Sequence, residues 1–138
     1  MSVKRDSVPP AVPPRASGIA RIVRALGFSI AGLRHALAHE TAVREELIAL
    51  VILVPISAVL PVSQVEHLLL VLPLMLLVAI ELLNSSLERA IDRISVEHHP
   101  LAGQAKDMAS AAVLIAVLMA GLSWTVIAGP VVMKWLRS

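Results

Sequence analysis

One apolar segment of this sequence carries four side chains that could do acid–base or metal chemistry. Glu81, Asn84, Glu88 and Asp92 lie at the end of a run of Leu, Val, Ile and Met that begins at Leu68. Their spacing of three or four residues puts them on one face of a helix. Glu81 and Glu88 are one heptad apart with the Asn84 amide between them, and this arrangement suits a hard divalent cation or a site of proton transfer.

The same acids also allow a plainer interpretation, in which they pair with arginines of the same helix at the rim of a membrane. For Asp92 this interpretation is as good as a functional one. Glu81 lies further into the apolar run and has no cationic neighbour in sequence, so function is favoured there. Glu40 and Arg44 are four residues apart and could form an ordinary helix pair, so spacing alone gives Glu40 no chemical role.

A third polar group lies between the second and third apolar runs. Segment 95–110 contains Pro100 and Gly103, which predict a loop, so that Lys106 and Asp107 would open the third membrane helix. An aspartate near a helix N-terminus is stabilised by the helix dipole, which explains Asp107 without a catalytic role. The two adjacent histidines of this segment would diverge on a helix, and we assign no metal to them.

Composition indicates the environment in which these groups must work. Of the 138 residues, 57% are hydrophobic and 16% are charged, whereas a soluble domain carries roughly a quarter charged residues. The absence of cysteine excludes disulfides and thiol chemistry. A net charge of +2 is too small to indicate nucleic acid as a partner. These features favour a membrane protein that forms one compact unit.

The distribution of apolar and charged residues predicts an all-α integral membrane protein with three transmembrane helices and an N-terminal amphipathic surface helix. The proline-rich first residues read as a disordered tail. Lys and Arg are concentrated before the first span and around the second connection, which places the N-terminus in the cytoplasm. The predicted parts are the tail at 1–17 and the membrane domain at 18–138, with the surface helix at about 18–39 and spans at about 44–64, 67–93 and 107–134.

Four motifs, in this order and with these separations, resemble the prokaryotic diacylglycerol kinase family: GLRHA, ETAVREE, IELLNSSLERAIDR and GQAKDMASAAVLIA. The resemblance runs from about Gly18 to about Trp124. It implies a homotrimer of the bacterial inner membrane that transfers the γ-phosphate of ATP, bound with Mg²⁺, to the hydroxyl of a lipid alcohol. The reaction would take place at the cytoplasmic face and convert diacylglycerol to phosphatidic acid.

The resemblance also implies roles for individual residues of this chain. Glu81 would be the general base, supported by Asn84, and Glu40 and Glu88 would hold magnesium. The residues implied at the nucleotide are Arg21, Phe28, Glu40, Glu88, Glu97, His98, His99, Lys106 and Asp107. Those implied at the lipid substrate are Arg21, Ala25, Arg44, Glu46, Glu81 and Ser110.

Two departures and two alternatives accompany this interpretation. The family commonly has Tyr where this chain has Phe28 and His98, which leaves the nucleotide preference open. Within the family, undecaprenol is an alternative lipid substrate with a hydroxyl at the same interface. A small proton or ion conductor is an alternative from another class. Conduction is disfavoured because the outer halves of the spans are apolar apart from scattered Ser57, Ser123 and Thr125.

Overall fold

The structure is a computed structural model that describes residues 18–94 and 99–137, and these residues form four α-helices. The expected tail at 1–17 and the candidate site residues Glu97 and His98 lie outside the described residues. The helices are α1 (Ile19–His39), α2 (Thr41–Val59), α3 (Gln64–Ile94) and α4 (Pro100–Leu136). The chain divides into two compact units, the first ending at Arg34 and the second beginning at His35.

The first unit contains most of α1. Gly18 precedes the helix with a φ of 61°, a left-handed conformation that glycine adopts without steric cost. Its carbonyl accepts hydrogen bonds from the amides of Arg21 (3.1 Å) and Ile22 (3.4 Å), which starts the helix. The apolar residues of α1 recur at helical spacing, as an amphipathic helix requires. Its location on a membrane surface stays a prediction.

The second unit includes the junction between α1 and α2. Glu40 is the one residue between these helices, with extended backbone at φ −108° and ψ 116°. Its amide still donates to the carbonyl of Ala36 (2.7 Å), and its carbonyl accepts from the amide of Arg44 (3.3 Å). The hydrogen bonds of both helices therefore continue up to Glu40, and its backbone is bonded to α1 on one side and to α2 on the other.

The turn between α2 and α3 is specified by a proline and a cap. Leu60 ends α2 in an extended conformation, which the following Pro61 favours. Ser63 and Glu66 then form a reciprocal cap at the start of α3. Glu66 Oε2 accepts from the amide and the hydroxyl of Ser63, both at 2.7 Å, while Ser63 Oγ accepts from the Glu66 amide at 3.3 Å.

The centre of the second unit is α3, which packs against both α2 and α4. An apolar cluster of Leu60, Leu70 and Ala128 joins the three helices and is surrounded by half-buried residues that include Trp124. The Trp124 indole N–H donates to the carbonyl of Leu70 at 3.0 Å. Small side chains on α4 allow the close approach of α3: Ala116, Ala120 and Ala128 are buried.

Two helices of the described part, α3 and α4, are long and apolar enough to cross a membrane. Neither the shorter α2 nor α1 is among them, so the structure supports two of the three expected spans. The loop predicted from Pro100 and Gly103 is wrong, because both residues are helical: α4 begins at Pro100, about two turns before Asp107. Proline suits the first position of a helix, where its missing N–H would have no partner, and the His99 side chain caps the helix by accepting from the Leu101 amide.

Candidate active site

The polar residues of α3 lie on one face, and their exposure increases along the helix. Glu81 and Ser85 are buried, each with 7% exposure, while Asn84 and Glu88 are half-buried. Asp92, at the end of this face, has 66% of its side chain exposed. A carboxylate buried among apolar residues is energetically costly, so the inner end of this face needs compensating partners.

Asn84 connects the two inner acids of α3. Its side-chain nitrogen donates to Glu88 Oε1 at 3.5 Å, and its amide also interacts with the carboxylate of Glu81. The Asn84 Oδ1 atom is buried and has no hydrogen-bond partner in the described part of the chain. A buried carbonyl oxygen without a partner marks a position where a donor or a cation would be stabilised.

Further carboxylates from α2 and from its junction with α1 join this group. Glu81 experiences the negative charges of Glu88 and Glu40, and Glu46 experiences that of Glu81. The Oε2 atom of Glu46 is buried and unpartnered within residues 18–94 and 99–137. We call Glu40, Glu46, Glu81 and Glu88 the acid cluster. Four interacting carboxylates favour the uptake of a cation or a proton.

One arginine neutralises part of the acid cluster. Arg89 contacts Glu40 Oε1 through Nε at 2.8 Å and through Nη2 at 2.5 Å. The alternative pairing of Glu40 with Arg44 is therefore wrong. Glu40 lies at the N-terminal end of α2, and the fold directs its carboxylate to α3 rather than along its own helix.

Arg44 stabilises the end of α1. Its Nη1 atom donates to the carbonyls of Leu37 (3.2 Å) and Ala38 (3.3 Å), and its Nη2 atom donates to Thr41 Oγ1 (3.0 Å). These carbonyls belong to the last turn of α1, where they lack helical partners and a cation is favoured. Arg44 also lines an apolar groove of about 350 Å³ along α2, together with Leu37, Leu47, Ile48, Val51 and Ile52.

The start of α4 contributes a cation near the outer end of the α3 face. Lys106 Nζ forms an ion pair with Asp92 Oδ1 at 2.6 Å. The plainer interpretation of Asp92 as an ion-pair residue is therefore correct in kind, although its partner is a lysine of α4 rather than an arginine of α3. Asp107 and Ser110 are exposed on the same helix, and His99 caps its first turn.

The structure thus groups some of the expected site residues. Arg21, Ala25 and Phe28 belong to the first unit, and their roles in the site stay predictions. The residues brought together are Glu40, Glu46, Glu81, Asn84 and Glu88, with Asp92 and Lys106 paired beyond them. Sequence reasoning missed Arg89 as the partner of Glu40, because the two residues are 49 positions apart and no local spacing relates them.

The donor set can be compared with the demands of magnesium. Among the described residues, no group of three or more His, Cys, Asp or Glu side chains is arranged to hold a metal ion. Magnesium bound with a nucleotide needs only one or two protein carboxylates, because phosphate oxygens and water supply the remaining ligands. Glu88 and Glu40, both of which act electrostatically on Glu81, provide two carboxylates of this kind. Their oxygen donors and the unpartnered Asn84 Oδ1 fit the chemistry of such an ion.

Comparisons with known proteins agree with the resemblance in the motifs. The family model described as prokaryotic diacylglycerol kinase matches residues 27–128. The Diacylglycerol kinase of Escherichia coli K12 is 43% identical over 111 residues, which cover 80% of this chain and 91% of that protein. The Diacylglycerol kinase of Pseudomonas aeruginosa is 40% identical over 111 residues, with 80% and 90% coverage. That of Helicobacter pylori J99 is 43% identical over 113 residues, with 82% and 88% coverage.

The match extends over α2 and α3 and includes both the acid cluster and the Lys106 segment. At this identity and coverage, the family expected from the four motifs is confirmed. The chain belongs to the prokaryotic diacylglycerol kinase family.

Proposed function

We propose that this protein is a membrane lipid kinase that transfers the γ-phosphate of ATP to the hydroxyl of diacylglycerol and releases phosphatidic acid and ADP. The observation that carries the proposal is the acid cluster, in which the buried Glu81 lies beside Glu88 and Asn84 on a helix long enough to span a membrane. The names of the similar proteins, all diacylglycerol kinases, supply the substrate class.

In this proposal Glu81 is the general base. Phosphoryl transfer to an alcohol requires the hydroxyl proton to be removed as the oxygen attacks phosphorus. Glu81 is buried where the apolar part of α3 ends, which is the depth at which a lipid hydroxyl meets the headgroup layer. Asn84 orients the carboxylates on either side of it through its contacts with Glu81 and Glu88. The lipid hydroxyl would bind against Glu81, with Arg44, Glu46 and Ser110 nearby.

Glu40 and Glu88 would hold Mg²⁺, which when bound neutralises charge on the phosphates. Lys106 would contribute a further positive charge to the nucleotide, exchanging its contact with Asp92 for a phosphate oxygen. The same nucleotide site would include Asp107 and His99. The resemblance adds Arg21, Phe28, Glu97 and His98 to the nucleotide site. It also assigns Arg21, together with Ala25, to the binding of the lipid substrate.

The proposed site lies at the cytoplasmic face of the bacterial inner membrane. The distribution of Lys and Arg predicts that the N-terminus and the α3–α4 connection are on that side. Glu81 and Glu88 of the acid cluster lie in the half of α3 that leads to this connection. ATP is available there. In this arrangement α2 is a further span beside α3 and α4, α1 lies along the membrane surface, and three copies of the chain assemble as a homotrimer.

A comparison of two lipid alcohols as substrates distinguishes a diacylglycerol kinase from the nearest alternative, an undecaprenol kinase. The purified protein is incorporated into vesicles with diacylglycerol or with undecaprenol and supplied with magnesium and ATP labelled at the γ-phosphate. We expect labelled phosphatidic acid in the first reaction and at most slow labelling of undecaprenol in the second. Preferential labelling of undecaprenol would overturn the substrate assignment. Labelling of neither lipid would overturn the kinase proposal itself.

The protein with Glu81→Gln is the matched control for this experiment. The substitution keeps the size and hydrogen-bonding ability of the side chain but removes its capacity to accept the hydroxyl proton. Labelled lipid that forms equally with this variant cannot come from the proposed site.

A further inference from the structure

Arg89 is a cation in contact with the acid cluster, and neither the catalytic nor the binding roles proposed above include it. Arg89 directly follows Glu88 on α3, and its side chain is 47% exposed. An exposed ion pair contributes little to folding, so stability alone gives a weak reason for its arrangement. The number and direction of its contacts indicate a more specific purpose.

Three nitrogens of the Arg89 guanidinium have partners on two different residues. Nε and Nη2 contact Glu40 Oε1, at 2.8 and 2.5 Å, and Nη1 contacts His35 Nε2 at 2.7 Å. A guanidinium is planar and its donors have fixed directions, so two partners at its two edges define its orientation. A lysine, with one nitrogen, could not reproduce this bridge.

His35 is itself held in place by its surroundings. Because arginine only donates, the His35 Nε2 atom must accept, and the ring proton lies on Nδ1. The ring stacks on that of His39 with centroids 4.3 Å apart and planes 24° apart. His39 in turn donates from Nδ1 to the carbonyl of His35 at 2.9 Å. The last turn of α1 therefore presents a fixed acceptor to Arg89.

The main consequence of this arrangement is that the side chain of Glu40 is oriented. It lies between two helices, and its side chain makes no capping hydrogen bond to the start of α2. Both contacts from Arg89 are to Oε1, so Arg89 restrains the position of this one carboxylate oxygen. In the proposed site, Oε2 would then be the Glu40 oxygen that holds magnesium.

We propose that Arg89, anchored by His35, is a positioning residue that fixes the Glu40 carboxylate for binding of the magnesium–nucleotide complex. This inference rests on the proposed function, in which Glu40 is a magnesium ligand. Hydrogen bonds to metal-binding carboxylates orient them, and loss of such a partner costs roughly 10- to 100-fold in metal affinity or activity. Arg89 acts through Glu40 and touches neither the lipid hydroxyl nor the reacting phosphorus.

The test compares the full-length protein with Arg89→Ala and Arg89→Lys. One readout is the binding of Mn²⁺ with a non-hydrolysable ATP analogue, measured by electron paramagnetic resonance without turnover. The second is the kinase rate as a function of magnesium and of diacylglycerol. We expect Arg89→Ala to weaken Mn²⁺ binding roughly tenfold or more and to raise the apparent KM for magnesium equally. The KM for diacylglycerol should stay unchanged, and Arg89→Lys should restore part of the affinity.

Arg93→Ala is the matched control, one turn further along the same helix. Arg93 is exposed, and the described part of the chain provides it with no hydrogen bond or ion pair. The Arg93→Ala substitution removes the same positive charge from α3 and should leave both the Mn²⁺ binding and the kinase rate unchanged. An equal loss in both arginine variants would mean that general charge, rather than the Glu40 contact, supports metal binding, and would overturn the proposal.

The role of His35 is tested by a second pair of variants. His35→Gln retains an acceptor for Arg89 and should bind Mn²⁺ nearly as the parent does, whereas His35→Ala should bind several-fold more weakly. Because His35 acts through Arg89, the double variant His35→Ala/Arg89→Ala should be no weaker than Arg89→Ala alone. Additive losses would contradict the anchoring. If Arg89→Ala does not fold, Arg89→Lys and the His35 pair decide the outcome.

The outcome for Arg89 is separable from that for the proposed function. An active parent whose Mn²⁺ affinity is unaltered by Arg89→Ala would overturn the positioning role and leave the kinase standing. A parent that phosphorylates no lipid, but whose Mn²⁺ binding still depends on Arg89, would overturn the kinase and retain the positioning role.

Discussion

The two halves of α3 use the same helix face for different purposes. In the first half the buried residues include Leu70, Leu74 and Val78, and in the second half they are Glu81 and Ser85. These positions follow one another at intervals of three or four residues, so they form one continuous face. The change from aliphatic packing to acid chemistry takes place within a single turn, between Val78 and Glu81.

This difference indicates how a short chain separates stability from chemistry. The aliphatic half packs Leu70, which is fully buried, against Leu60 and Ala128 and holds Trp124 by a hydrogen bond. The acid half buries a carboxylate, which opposes folding unless a proton or a cation compensates it. Packing at one end of the helix therefore offsets the cost of a reactive group at the other.

The largest effect should follow from Glu81→Gln. Removing a general base typically lowers turnover by about 10²- to 10⁴-fold, and we expect such a loss in the labelled-ATP assay with diacylglycerol. The control is Glu66→Gln, which makes the same change in the aliphatic half. Glu66 forms the cap with Ser63, and glutamine is also accepted at that position of a capping box. Equal losses in both variants would erase the distinction between the halves.

Glu88→Ala should mainly affect magnesium-dependent nucleotide binding. The substitution removes one proposed magnesium ligand and the acceptor of the Asn84 amide. We expect roughly 10- to 100-fold weaker binding of the magnesium–nucleotide complex, by analogy with the loss of groups that support a metal site. Calorimetry with a non-hydrolysable nucleotide measures this directly. Unchanged affinity would exclude Glu88 as a ligand.

In the aliphatic half, Leu70→Ala should reduce stability and spare chemistry. A buried leucine replaced by alanine leaves a cavity, and the loss should be about 2 kcal/mol, at the low end for such changes because lipid rather than water surrounds the protein. Unfolding by denaturing detergent measures the free energy of unfolding, and turnover is expressed per folded protein. A variant that remains as stable as the parent would argue against the apolar cluster as the source of stability.

The smallest effect should come from Trp124→Phe. This change retains an aromatic ring but removes the N–H that donates to the Leu70 carbonyl. Hydrogen bonds between membrane helices average about 0.6 kcal/mol, so the free energy of unfolding should fall by about that amount while turnover stays unchanged. A loss of turnover per folded protein would mean that the aliphatic half also takes part in catalysis.

Local periodicity was sufficient to predict the polar face of α3. Glu81, Asn84 and Glu88 share a helix side because helical geometry depends only on their spacing. The start of α4 was not predicted, because Pro100 indicates a loop as readily as the first residue of a helix and only the cap by His99 distinguishes the two. Glu97 lies outside the described residues, so its role stays a prediction.

The contacts between helices could not be predicted in the same way. Arg89 reaches Glu40 across 49 residues because a single extended residue joins α1 and α2 and brings the Glu40 carboxylate to α3. Spacing favoured Arg44 as the partner, but that side chain caps the last turn of α1 instead. Such pairings depend on how helices pack, which a one-dimensional pattern does not contain.

Turnover and the free energy of unfolding, measured together on Glu81→Gln and Leu70→Ala, test the separation of chemistry from stability most directly. We predict that Glu81→Gln loses lipid phosphorylation but unfolds at no lower detergent concentration than the parent, while Leu70→Ala unfolds earlier and keeps its turnover per folded molecule. A Glu81→Gln protein that phosphorylates diacylglycerol at the parental rate would contradict this account.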